Sequence, residues 1–185
     1  MIYYSRLCQQ LLVFMLFFLA INVSIAQFKT SFYTNGKLKS EGCVSAKDSL
    51  KQGPWHFYFN TGKMNSEGSF YHGKQHGEWK YFNFDNGTVE KLETWKDGIQ
   101  EGEMREFYPT GKLSRSIIFK NGVYDGASVS FHVNGKLKRK GLYKQGIPEG
   151  IWEEFDENGN LVVENPTDLP KEEKSRKRKK SGRRH

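Results

Sequence analysis

The chain has 185 residues, 36% of them hydrophobic and 15% aromatic. That is enough for one modest domain or a short repeat array. Its two cysteines are too few for a disulfide scaffold or a multi-cysteine zinc module. The net charge of +8 does not belong to the body, because residues 27–170 carry nineteen basic and nineteen acidic side chains. A nucleic-acid-binding body is therefore not expected.

Residues 1–26 read as an export signal. Arg6 is the only charge, residues 11–21 (LLVFMLFFLAI) form an eleven-residue apolar core, and Ser24 and Ala26 are small residues at −3 and −1 of a cut before Gln27. The core is shorter than the roughly 18–20 apolar residues of a spanning helix; the alternative is an uncleaved membrane anchor. Cys8 precedes the core and so is not placed for lipid attachment. The expected address is periplasmic or extracellular. Cys43 would be the one thiol left after cleavage, and a buried one.

Residues 27–163 are governed by a repeat. A corner glycine recurs as Gly36, Gly62, Gly87, Gly111, Gly135 and Gly159, at spacings of 26, 25, 24, 24 and 24. A second register is Gly53, Gly77, Gly102, Gly126 and Gly150, and a third, Gly73, Gly98, Gly122 and Gly146, runs four residues before the second. The segments between are too short for helices and read as strands. Two residues after each corner glycine comes an apolar side chain: Leu38, Met64, Val89, Leu113, Leu137, Leu161. Eight after it come Val44, Phe70, Trp95, Phe119 and Tyr143, on the same strand face by even offset.

Each unit is thus a β-hairpin, with a type I′ turn expected at the Asn-Gly corner and a looser turn at the other end. A lone hairpin is marginal in water, so stacking must supply the stability. The expected fold is all-β, an elongated single-layer antiparallel meander of about six hairpins. The column Tyr58, Phe82, Phe107, Phe131, Phe155, five after each second-register glycine, is wholly aromatic and is the expected core spine. Two after the same glycines come Trp55, Trp79, Met104, Ser128 and Trp152, facing the other way by parity. The first repeat is longer, with AKDSLKQG at 46–53, and FNFDNG at 82–87 has one extra residue, expected as a strand bulge.

Residues 164–185 change character. KEEKSRKRKKSGRRH carries nine Lys/Arg against two Asp/Glu and almost nothing apolar, a composition expected to stay disordered. Lys174, Arg176, Lys177, Arg178, Lys179, Lys180, Arg183 and Arg184 are candidates for an electrostatic tether to an anionic envelope surface; a solvating tail is the alternative.

The segments FYTNGKLKSEG (32–42), FNTGKMNSEGSFYHGKQHGEWKYF (59–82) and FHVNGKLKRKGLYKQGIPEGIWEEF (131–155) resemble the MORN-repeat variant family, over about residues 28–163. The resemblance implies a hairpin-repeat fold and a binding or scaffolding surface, for lipid or partner proteins in some members. Some members are classed as antitoxin-like, which would make the chain an inhibitor of a partner protein. Met104 and Ser128 depart from the pattern, standing where tryptophan is expected.

No catalytic arrangement emerges. His72 and His76 are four apart, but HGKQHG holds them on a turn, without a third ligand. Glu101, Glu103 and Glu106, and Glu149, Glu153, Glu154, Asp156 and Glu157, are close in sequence but read as solvated strand faces. No nucleophile elbow, phosphate loop or zinc-protease motif occurs. The expectation is a non-enzymatic module with no cofactor, no metal and no small-molecule substrate, binding a protein partner or the envelope surface. Trp55, Phe57, Phe59, Trp79 and Tyr81 form the candidate partner contact. The same aromatic face could instead serve glycan or cell-wall binding.

Overall fold

A glycine-punctuated chain of alternating polar and aromatic residues has one economical solution, the strand that turns back on its predecessor. The computed structural model describes residues 26–166 of the protein. They form thirteen strands, and no helix occurs among them. Two units divide the described chain. The first, up to Gln100 together with turn residues 109–111, holds β1 (Ala26–Phe32), β2 (Leu38–Ser45), β3 (Lys51–Tyr58), β4 (Met64–Tyr71), β5 (Lys74–Phe82), β6 (Val89–Lys96) and the two-residue β7 (Ile99–Gln100). The second, residues 101–108 and from 112 on, holds β8 (Gly102–Phe107), β9 (Leu113–Lys120), β10 (Val123–Phe131), β11 (Leu137–Lys144), β12 (Ile147–Phe155) and β13 (Leu161–Pro166). Within each unit every strand pairs antiparallel with the next in sequence. Both units are hairpin meanders, as the glycine period requires.

The two turn types are exchanged relative to the sequence expectation. At the corners only the glycine takes positive φ. Gly36 has φ 79° and its N–H donates to Tyr33 O at 2.9 Å, while Tyr33 N–H donates to Lys37 O at 2.8 Å. This is a three-residue loop, a type I turn completed by a left-handed glycine. The two-residue type I′ turns lie at the other ends, where His72 and Gly73 have φ of 47° and 75°, and Asn121 and Gly122 of 52° and 80°. The extra residue of the third corner does not bulge a strand. It lengthens the loop, whose closing bond runs from Asn83 N–H to Thr88 O at 2.8 Å.

The corner Asn and Lys have another task, that of stitching each corner to the following one. Asn35 Nδ2 donates to Asn60 O at 2.9 Å and Lys37 Nζ to Thr61 O at 2.7 Å. Asn134 Nδ2 donates to Glu157 O and Lys136 Nζ to Asn158 O, both at 2.9 Å. Tyr33 and Tyr108 hydroxyls do the same for the carbonyls of Tyr58 and Phe131, each at 2.7 Å. The Asn-Gly-Lys motif is therefore an inter-repeat clamp.

The core spine is the other column. Trp55, Trp79 and Trp152 are each 3% exposed, and Met104 and Ser128 are also buried, whereas Tyr58, Phe82, Phe107, Phe131 and Phe155 are half-buried. The reason is the glycine across the strand pair. Gly42 and Gly68 lie directly opposite Trp55, and a Cβ at Gly42, Gly68 or Gly141 would overlap the ring of Trp55, Trp79 or Trp152 respectively. These three glycines have ordinary φ; they serve space, not conformation. The indole lies flat over bare backbone, and water is excluded from both.

Candidate functional site

In the first unit the expected contact residues make a filled aromatic slab. Trp55 stacks on Phe57 with centroids 6.0 Å apart, Phe57 on Trp79 at 5.9 Å, and Trp79 meets Tyr81 at 6.3 Å. Trp55 and Trp79 are core residues; Phe57, Phe59 and Tyr81 are half-buried. Phe59 sits apart, at a corner, edge-on to Phe84 at 5.0 Å. Both indole N–H groups are satisfied, Trp55 by Cys43 O at 2.9 Å and Trp79 by Ser69 O at 3.1 Å.

Two cations close over this slab. Lys51 Nζ lies 4.6, 4.8 and 4.7 Å from the ring centroids of Trp55, Phe57 and Phe70, an aromatic cage filled by the chain's own ammonium group. Burial pulls the Lys51 pKa below its ordinary value. Lys91 Nζ lies 4.3 Å from the Tyr81 centroid and 2.8 Å from the buried carboxylate of Glu93, which also accepts from Trp95 Nε1 at 3.1 Å. Burial first, then the hydrogen bond and charge of Glu93, push the Tyr81 phenol well above its ordinary pKa. Cys43 is buried, as expected.

The second unit is built differently along the equivalent row. Ile117 stands opposite both Met104 and Ser128, and Ser128 opposite Gly141. A hollow of about 400 Å³ opens there, lined by Arg115, Ser128, Ser130, Arg139, Trp152 and their neighbours. On the reverse face of β11 and β12, Leu142, Ile147 and Ile151 are 51%, 69% and 54% exposed.

The sequence-adjacent carboxylates do not converge. Glu101 accepts from Asn121 N–H at 2.7 Å, Glu103 from the Ser116 hydroxyl at 2.6 Å, and Glu106 pairs with Arg115 at 3.0 Å. Glu153 and Glu154 are bound to Lys140 at 2.8 Å and Arg139 at 3.1 Å. Asp156 caps its own turn, accepting from Asn158 and Asn160. His76 pairs with Asp97 at 3.3 Å, and His72 contacts Gln52 instead. Among the described residues no group of three or more His, Cys, Asp or Glu side chains is gathered as a metal would require.

The hairpin, its corner clamp and the glycine–tryptophan rows together define a repeat type. A family model for the MORN repeat variant matches residues 29–45, 100–121, 124–145 and 148–168. The chain belongs to the MORN-repeat variant family. Three of these matches span β1–β2, β10–β11 and β12–β13, each one hairpin around a corner glycine. No curated protein sequence matches the chain. MORN repeats are protein- and membrane-binding modules, and the family is a non-enzymatic repeat type.

Lys51, Glu93 and the Arg115–Ser130–Arg139 row escaped the sequence reading. A signal for the row was present. Repeats with glycine six after the corner (Gly42, Gly68, Gly141) carry tryptophan eleven to thirteen residues later, and repeats with Glu93 or Ile117 there carry Met104 or Ser128. Residues 1–25 of the expected export signal and the tail residues Lys174, Arg176, Lys177, Arg178, Lys179, Lys180, Arg183 and Arg184 lie outside the described residues.

Proposed function

We propose that this MORN-repeat protein is an exported, non-enzymatic scaffold that docks a partner protein on the outer face of β11 and β12. The observation that carries the reading is the cluster of Leu142, Ile147 and Ile151, each more than half exposed. Large aliphatic side chains from adjacent strands, exposed on one face, mark an interaction surface. Around them stand Lys140, Lys144, Glu149 and Glu153, two charges of each sign, with Lys140 already paired to Glu153. An apolar centre with a mixed-charge rim suits a protein partner; an anionic lipid surface would favour a rim of cations alone. The basic tail then adds long-range attraction to an anionic envelope and does not select the partner.

Capture from an envelope fraction with tagged protein tests this. The double substitution Leu142→Asp and Ile151→Asp should abolish the captured partner while the far-UV spectrum and melting temperature stay within normal surface-mutation limits. Deleting residues 171–185 should weaken retention in a salt-dependent way without changing which partner is held. Unchanged capture by the Leu142→Asp/Ile151→Asp variant would refute the docking face.

A further inference from the structure

The repeat without a tryptophan leaves a space where the first unit's repeats carry rings. In β10, Ser128 and Ser130 occupy the places held by Trp55 and Phe57 in β3 and by Trp79 and Tyr81 in β5. The pairing register sets Arg115 opposite Ser130 and Ser130 opposite Arg139. One hydroxyl therefore lies between two guanidinium side chains, above the buried Ser128. Two buried donors of the lining residues have no hydrogen-bond partner: Arg115 Nε and Trp152 Nε1. The first unit's Trp55 and Trp79 indoles are both satisfied, whereas the Trp152 indole, buried against Gly141 with the Arg139 guanidinium 4.5 Å from its ring centroid, has no acceptor.

We propose that the hollow binds the carboxylate of an acidic side chain presented by a partner's peptide segment. The lining supplies donors: guanidinium N–H groups of Arg115 and Arg139 beyond those that hold Glu106 and Glu154, the Lys138 ammonium and the Ser130 hydroxyl. An acceptor-only group is the complement to that set. The charge selects a monoanion. Arg115, Lys138 and Arg139 stand against Glu154 in the lining and Glu106 beside it, a sum of one positive charge. The volume of about 400 Å³ exceeds a carboxylate and leaves room for the residues flanking it. Tyr143, half-buried and edge-on to the buried Trp152 with ring centroids 4.9 Å apart, offers apolar surface to the side-chain stem. Residues 171–185 carry nine Lys/Arg beside Glu172 and Glu173, so the chain's own tail would meet the cations of the lining with net repulsion. The site lies on the face opposite Leu142 and Ile151, so it stands or falls independently of that docking face.

The test uses uniformly ¹⁵N-labelled full chain and a tetraglutamate peptide capped at both ends. Tetraglutamine, sodium acetate and inorganic phosphate are the comparison arms. The Trp152 indole N–H resonance, which reports on the Arg139 guanidinium 4.5 Å from its ring centroid, should shift with tetraglutamate while those of Trp55 and Trp79 stay in place. Binding to the basic tail would move none of them. Arg139→Gln, a change at a half-exposed side chain, should weaken the Trp152 response at least tenfold. An immobile Trp152 signal, or an equal response to tetraglutamine, overturns the proposal. Acetate or phosphate acting as strongly as the peptide overturns the assignment to a peptide side chain.

Discussion

The two units answer one packing problem in opposite ways. Along the buried row of the first unit, Gly42, Trp55 and Gly68 face one another; in the second, Met104, Ile117, Ser128 and Gly141 do. A sheet spacing fixed by hydrogen bonds gives each row a fixed volume. Tryptophan needs a neighbour without a Cβ, whereas isoleucine admits a serine. The first solution fills its space with rings and closes it with Lys51. The second leaves a hollow and unpaired donors. What differs is therefore the division of labour: the filled row supports the fold, and the incomplete row is free to meet a ligand.

That contrast can be broken at its strongest point. Trp79→Ala should destabilise the protein by about 3–5 kcal/mol, the usual penalty for emptying an aromatic core position, read from urea denaturation. A loss under 1 kcal/mol would mean that the ring is not core. Gly68→Ala comes next. Its methyl would enter the Trp79 ring, and overpacking of this kind costs about 1–3 kcal/mol. An equivalent change at Gly77, where a Cβ would meet nothing, should show only the strain of its φ of 76°, so comparing the two separates space from conformation.

The fold was readable because three glycine registers share one period, and hairpins are all that such spacing permits. Two details were not. Asn-Gly has the same composition at a corner and at a tight turn, but the corner Asn35 and Asn134 side chains are engaged with the next repeat, which a local turn signal does not encode. The uniform aromatic column ending in Phe155 looked like a spine, yet it stands beside the corners, where rings are half-exposed. The true spine was disguised by Met104 and Ser128. The hollow itself is made by side chains that are missing, so only the pairing register shows which residues come to face it.

Smaller effects sharpen the account of the corners. Asn134→Ala removes one exposed clamp bond and should cost about 0.5 kcal/mol, the low end for a net hydrogen bond, measured by thermal melting. The smallest effect is expected at Asp156. Hydrogen bonds from the Asn160 side chain first, then from backbone N–H groups, hold its pKa below the ordinary value. Its contribution is therefore present above the ordinary carboxylate range and lost as pH falls below about 4. Asp156→Asn should flatten that acid limb and leave neutral-pH stability nearly unchanged; an unaltered limb would show that the turn does not depend on the charge.

The size-matching rule is tested most directly by a double-mutant cycle on Ile117→Gly and Ser128→Trp, which writes the first unit's row into the second. Each single change should destabilise, one by a cavity and the other by overpacking. Together they should recover about 1 kcal/mol or more beyond additivity and erase the response of Trp152 to tetraglutamate. Additive losses, with the ligand response intact, would contradict the account.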